Sequence, residues 1–207
     1  VGYQFSYHLD DKDSLYWHWH CGAFSLNDLP IPGLPLANAA TALMALSISG
    51  LQISDIDIVA GLSNAKLEGR MQILSHDPTI LLDVAHNPHS AQYLVQQLER
   101  QYPNRTIHAV VAMLHDKDIK STLKELTPVV DFWYPASLNG PRAASADELC
   151  LSLPNGVNKF TTPIEAFQYA QDQVNTEDVL LVVGSFHTVG EVLDYWQQNI
   201  TRSLNGE

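Results

Sequence analysis

Cysteine is scarce in this sequence: Cys21 and Cys150 are the only two among 207 residues, and they have no paired spacing. A disulfide framework is not expected, and a reducing, cytoplasmic compartment is. Positive charge is scarce as well. Eleven Lys and Arg stand against 23 Asp and Glu, for a formal net charge of -12. That balance excludes the cationic footprint a nucleic-acid surface needs against phosphates. The arginines are few (Arg70, Arg100, Arg105, Arg142 and Arg202), so any anion site must draw on one or two of them. Long apolar runs are missing too. The longest, such as 179–183, are strand-sized, and neither a signal peptide nor a membrane-spanning stretch is visible. No G-x-G-x-x-G follows a predicted strand, and G-x-x-x-x-G-K-[ST] does not occur. These residues therefore carry neither a dinucleotide fingerprint nor a phosphate-cradling loop.

What is present is an ordinary globular composition, 45% hydrophobic and 16% charged. A chain of this length buries about 70% of its unfolded surface on folding. Residues 3–8 and 15–19 alternate about the polar run 10–13, which predicts a β-hairpin. Three prolines in 29–35 argue against regular structure there. Helical spacing follows over 36–49, stopped by Gly50, and over 54–63, capped by Ser54, with Ile56, Val59, Ala60 and Leu62 as its apolar face. The polar stretch 64–70 reads as a boundary. We expect residues 1–66 to hold the hairpin and two helices, and 67–207 to form a second domain.

From residue 71 the pattern alternates. Strands are predicted at 71–74, 79–83, 106–112, 129–134, 159–161 and 179–183. Helices are predicted at 88–101, 119–126, 146–151, 163–175 and 188–199. Short apolar strands between amphipathic helices predict an α/β domain, a Rossmann-like and mostly parallel sheet with helices on both faces. Its ligand site should lie at the carboxyl ends of the strands.

Five places carry chemistry. In 81–88 an apolar strand ends at Asp83, and Pro88 stands where a helix begins. Asp83, His86 and Asn87 are thus set at a strand end and a helix N-terminus, where anions and ribose hydroxyls are commonly held. Asn87 or Asp83 could equally serve only to cap that helix. Arg70, after Gly69 at the boundary, has a fork suited to oxyanions, or is a solvated linker charge. Asn38 can present a donor and an acceptor to an adenine edge, or cap its helix. The segment 113–118 ends a strand, with Asp116 or Asp118 as a candidate cap. At 184–188, Gly184 and Ser185 open a helix whose first N–H groups can meet an anion. The run Trp17-His18-Trp19-His20-Cys21 looks like a metal cluster. His18 and His20 share a face, but no third converging ligand is identifiable, so no metal ligand is assigned.

Six segments in order resemble the folylpolyglutamate and dihydrofolate synthases of the Mur-ligase superfamily. They are Leu-Pro-Leu-Ala-Asn-Ala-Ala-Thr-Ala-Leu (34–43), Glu-Gly-Arg (68–70), Asp-Val-Ala-His-Asn-Pro-His (83–89), Met-Leu-His-Asp-Lys-Asp (113–118), Asn-Gly-Pro-Arg-Ala-Ala (139–144) and Val-Gly-Ser-Phe-His-Thr-Val (183–189). The second is similar to the family's Leu-Pro-Gly-Arg with Glu68 for Pro, and the third to Asp-Gly-Ala-His-Asn-Pro-His with Val84 for Gly. The fifth suggests the bacterial bifunctional type.

The resemblance implies an ATP-dependent ligase that joins L-glutamate to dihydropteroate or tetrahydrofolate through an acyl phosphate. It implies ATP and Mg²⁺ as cofactors. Asn38 would meet the adenine, Arg70 the phosphates and Asp83 the ribose. His86 would lie on the nucleotide or acyl phosphate, making His86 and Arg70 the catalytic candidates. Ser185 and His187 would lie near glutamate. Arg70, Asp83 and His86 would face one cleft with Asn38 across it. Residues 1–66 would be the tail of a central ATPase domain and 67–207 the C-terminal domain. The sequence begins with Val1, and we read it as a C-terminal half, with the phosphate loop and most of the Mg²⁺ site on the other half. On that reading these residues alone are inactive, and a monomer is expected. A non-catalytic nucleotide- or glutamate-binding module, or a Mur-type ligase with another acceptor, are the alternatives.

Overall fold

A computed structural model describes residues 4–11 and 15–205. The chain forms two compact units, Val1–Arg70 and Met71–Glu207. Among the described residues no helix is long and apolar enough to cross a membrane.

The first unit is a three-stranded antiparallel sheet, β1 (Ser6–Leu9), β2 (Tyr16–Cys21) and β3 (Phe24–Pro30), followed by α1 (Leu36–Ile48) and α2 (Asp55–Asn64). In β2 the alternation Trp-His-Trp-His divides the sheet. Trp17 and Trp19 are fully buried against Leu26, Leu29, Ala40 and Leu43, and the histidines take the opposite face. Each indole N–H finds a carbonyl, Trp17 donating to Pro30 and Trp19 to Ala40, both at 3.0 Å. Tyr3, Lys12 and Asp13 of the predicted hairpin lie outside the described residues.

Two expectations are corrected here. Leu29 and Pro30 are regular after all, since β3 runs through them. A β-bulge sits at Asp28 (φ 54°), where the register slips between Trp17 and Trp19. It lets Leu26 and Leu29, three apart, face one side, which breaks the period-two signal. The apolar face of α2 is also not as predicted. Ile56 is 80% exposed and Val59 is exposed, whereas Leu62 is buried and Ile58 packs beside it. Ser54 does cap α2, in a reciprocal pair with Asp57.

The second unit is a five-stranded sheet in the order β4-β5-β8-β6-β7. Its strands are β4 (Gln72–His76), β5 (Thr79–Asp83), β6 (Ile107–Val111), β7 (Phe132–Pro135) and β8 (Val179–Val183). β4 is antiparallel to β5, and every other pairing is parallel. Strands buried on both faces sort their side chains by parity. Leu81, Ala109, Leu181 and Val183 meet α3 (Pro88–Gln101), α4 (Ile119–Leu126) and α5 (Ala146–Cys150). Ile80, Val110, Leu180 and Val182 meet α6 (Pro163–Gln171) and α7 (Phe186–Asn205). The sheet is thus mostly parallel with helices on both faces, as expected. The predicted strand at 159–161 is reduced to a single bridge between Ala136 and Phe160, because Lys159 and Thr161 point to solvent.

Opposite the carboxyl edge, Arg105 ties the strand starts together. Its guanidinium donates to Thr79 Oγ1 (3.0 Å), to the carbonyls of Thr176 (3.0 Å) and Asp178 (2.9 Å), and to that of Glu177. Close by, buried His108 meets Tyr134 Oη through Nδ1 at 2.8 Å and Asp178 through Nε2 at 3.5 Å. Burial pushes the His108 imidazole below its ordinary value, and the Asp178 charge only partly offsets this. The folded protein therefore disfavours the protonated ring, and the unfolded chain binds that proton more readily. This contribution to stability is full above the unfolded histidine pKa of about 6.5 and is lost as pH falls from there through the lower folded value. We expect the urea midpoint to drop as pH falls below about 6.5, and His108→Gln to flatten that drop. An equal slope in the variant would show that other groups carry the acid sensitivity.

Candidate functional site

The parallel strands end together, and the loop after each one is held by its neighbours. Ala112 N–H donates to Val183 O (3.3 Å), and Thr188 Oγ1 donates to Ala112 O (2.6 Å). The loop after β6 pairs with the loop after β7: His115 N–H donates to Arg142 O (2.9 Å), Ala144 N–H donates to Met113 O (3.0 Å), and Leu114 bridges Ala143. Asp83, the last residue of β5, is in register with Val183, the last of β8. Four of the six segments singled out in the sequence therefore converge on one edge of the sheet: 83–89, 113–118, 139–144 and 183–189. Backbone pairing across 25 residues or more carries no local signature, which is why the sequence did not show these contacts.

Asp83 is buried, and its side chain does structural work. One oxygen accepts from Ala85 N–H at 2.8 Å, the other from Met71 N–H at 3.0 Å. Asn87 is the cap of α3, accepting from Ser90 N–H at 2.9 Å, while Ser90 Oγ accepts from Asn87 N–H at 3.3 Å. His86 is half-buried, with Nδ1 2.8 Å from Val84 O. A carbonyl only accepts, so the proton of the neutral ring sits on Nδ1 and the Nε2 lone pair is left for a ligand. Asp118 caps α4 through Ser121 N–H, and Asp116 lies 3.7 Å from Arg142 and 3.9 Å from Lys117. Lys117 and Arg142 thus bring cationic groups to this edge. Sequence reasoning assigned neither, although both lie in segments it quoted.

At β8 the chain turns through Gly184, with φ 121°. Ser185 is buried, its hydroxyl 2.7 Å from Thr188 Oγ1 and accepting from Thr188 N–H at 3.0 Å. That hydroxyl is therefore spent on the start of α7, which begins at Phe186, two residues before the predicted start. The first-turn N–H groups and the exposed His187 ring are what this turn presents to a ligand. Burial pushes the Glu191 carboxyl, one turn further on, upward, and the nearby His187 opposes this.

Asn38 and Arg70 belong to the first unit. Asn38 does not cap α1, because that position is held by Pro35. Its amide is exposed instead, on the wall of a mostly apolar groove of about 470 Å³ between α1 and α2, beside Leu34, Ala42 and Leu46. Arg70 lies between Gly69 (φ 68°) and Met71 (φ 44°), two left-handed residues that flank it. Its guanidinium makes no hydrogen bond or ion pair among the described residues.

The family of Mur ligases, by its glutamate ligase domain, matches residues 69–186. The chain belongs to the Mur ligase family. It is 44% identical over 193 residues to the dihydrofolate synthase/folylpolyglutamate synthase of Escherichia coli strain K12, a match that covers 93% of this chain and 45% of that protein. A solved bifunctional folylpolyglutamate synthase/dihydrofolate synthase with Mn, AMPPNP and L-glutamate bound superposes with a TM-score of 0.87 at 45% identity, over 94% of this chain and 46% of that one. The E. coli FolC structure in complex with DHPP and ADP superposes with a TM-score of 0.89 at 41% identity, over 96% of this chain and 47% of that one. The chain thus spans about half the length of the relatives it matches.

Proposed function

We propose that the chain supplies the nucleotide- and glutamate-handling part of an ATP-dependent carboxylate–amine ligase. The reaction joins L-glutamate to dihydropteroate or tetrahydrofolate: the folate carboxylate is phosphorylated, and the glutamate amine displaces phosphate from the acyl phosphate. The convergence of segments 83–89, 113–118, 139–144 and 183–189 on one sheet edge carries this reading. Its similarity to relatives with AMPPNP, Mn, L-glutamate and DHPP in hand supports it.

ATP supplies the phosphoryl group, with Mg²⁺ as its counter-ion. Asn38 meets the adenine, Arg70 the phosphates and Asp83 the ribose, for which each carboxylate oxygen can accept more than one hydrogen bond. His86 offers Nε2 to the nucleotide or acyl phosphate. The turn at Ser185 and His187 receives glutamate, whose carboxylates suit the N-terminus of α7. Phosphoryl transfer depends on positioning and charge neutralisation more than on side-chain chemistry, so residues that mainly orient are the ones to expect.

The test is glutamate incorporation with radiolabelled substrate. The 207 residues contain no phosphate loop. Alone they are expected to give no ligation, whereas the same residues joined to the phosphate-loop portion of the E. coli relative are expected to turn over. Robust turnover by the 207-residue chain would show the machinery to be misplaced. Nucleotide binding without turnover in the joined protein would favour a binding module.

A further inference from the structure

We propose that His8, Asp10 and His18 form a binding site for a borderline divalent metal ion of the Zn²⁺ type, on the face of the three-stranded sheet turned away from the tryptophan core. The site owes nothing to the ligase reading. It stems from the alternation of β2, which puts Trp17 and Trp19 inward and His18 and His20 outward.

The ligand missing from the sequence comes from the neighbouring strand. His8 of β1 is directly opposite His18, and the two rings stack with centroids 5.0 Å apart. On its other side His8 stacks on His20 at 5.3 Å. Asp10, just past β1, brings Oδ2 to 3.2 Å from His18 Nε2. One ligand atom from each of His8, Asp10 and His18 lies within 4.8 Å of the others. Ligands about 2.0–2.2 Å from a tetrahedral ion are about 3.3–3.6 Å apart. The Asp10–His18 edge already has nearly that length, and rotation of the exposed His8 closes the set.

The chemistry of the groups agrees with this geometry. The His8 ring nitrogens make no hydrogen bond among the described residues, so ligation by His8 breaks none. Nδ1 of His18 lies 3.3 Å from Asn27 Oδ1. Asp28 N–H also points at that nitrogen, at 3.4 Å, so without a metal the ring proton sits on Nε2 and faces Asp10. A metal ion would displace it, and Nδ1–H would then donate to Asn27 Oδ1, the usual anchor for the second nitrogen of a metal-bound histidine. Two imidazoles and a carboxylate suit Zn²⁺, Co²⁺, Ni²⁺ or Cu²⁺ rather than Mg²⁺ or Ca²⁺, which take oxygen. A fourth position is left for water or for His20, whose Nδ1 is taken by Ser25 Oγ at 2.9 Å while its Nε2 is not.

Isothermal titration of the chelator-treated 207-residue chain with ZnCl₂ tests the proposal. One Zn²⁺ per chain is expected, with Mg²⁺ giving no heat and no displacement. His8→Gln, Asp10→Asn and His18→Gln should each weaken binding about tenfold or more, and His76→Gln in β4 should not. His18 sits between the core tryptophans, so H18Q could disturb the sheet. Asp10 and His8 are exposed, and their variants should keep the tryptophan emission of the wild type. Co²⁺ should give the intense visible absorption of a four-coordinate site, lost in D10N. Unchanged affinity in both H8Q and D10N, displacement by Mg²⁺, or no saturable Zn²⁺ binding up to about 1 mM would overturn it.

Discussion

Gly184→Ala should destabilise the second unit by about 2–6 kcal/mol, from the sum of a strained backbone conformation and an overpacked contact. Gly184 has φ 121°, a conformation that costs an L side chain dearly, and a Cβ placed there would sit 2.4 Å from Ala112 O and 2.9 Å from Met113 Cγ. The obstacle is largely backbone, and that backbone is fixed: Ala112 O accepts from Thr188, and Ala112 N–H donates to Val183 O. Neither side can retreat without opening the edge where the candidate site is built. Gly190, in α7, is the matching control. Nothing lies within 4 Å of a Cβ there, so Gly190→Ala should stabilise by about 0.5–1 kcal/mol through helix propensity. Urea unfolding followed by tryptophan fluorescence reads both. A G184A midpoint equal to that of the wild type would mean the turn is softer than its contacts indicate.

Arg70→Ala, in the protein joined to a phosphate-loop domain, should lower kcat about 10²–10³-fold, the loss typical when one preorganised donor to a developing charge is removed. Apparent affinity for the adenosine part should change much less, because that part is assigned to Asn38 and Asp83. Two left-handed residues flank Arg70, and Met71 N–H is held by Asp83. The backbone beside the guanidinium is thus fixed, while the guanidinium itself has no partner among the described residues. Arg70→Lys should recover only part of the rate, since an ammonium cannot form the planar two-point contact with a phosphate. Steady-state glutamate incorporation at saturating ATP decides it. Full activity in R70A would make Arg70 a linker charge and no more.

The parts of the fold legible in the sequence are those governed by local rules. β5, β8, α3 and α4 have the predicted bounds, because unbroken apolar runs mark buried strands and Pro88 and Asp118 mark helix starts. β3 was illegible because its bulge at Asp28 replaces alternation by a three-residue spacing between Leu26 and Leu29. α7 starts early because Ser185, not a residue nearer Thr188, accepts the first-turn N–H. The site divides in the same way. The candidates Asp83 and His86 are marked in the sequence by a strand end before a proline. The pairing of 113–118 with 139–144 is a tertiary contact with no local mark, and so is the arrival of His8 and Asp10 beside His18. Asn87 and Ser185, both quoted for possible ligands, spend their side chains on helix starts, a reminder that the residues preferred at caps are also those preferred in sites.

The position of β8 sets the order in which the second unit can be made. β8 is the last strand of the described residues yet lies between β5 and β6, in the middle of the sheet. During synthesis β5 and β6 emerge long before the strand that joins them, and each must wait with an unpaired edge. Roughly 70 residues separate Arg105 from the carbonyls it clasps at 176–178, so that clasp also closes late. Such contacts give a high contact order and slow folding, with a window in which nascent chains can pair wrongly. A ribosome-bound chain that stops short of residue 179 holds two half-sheets and no core to unite them, so this unit cannot complete its sheet until β8 has emerged.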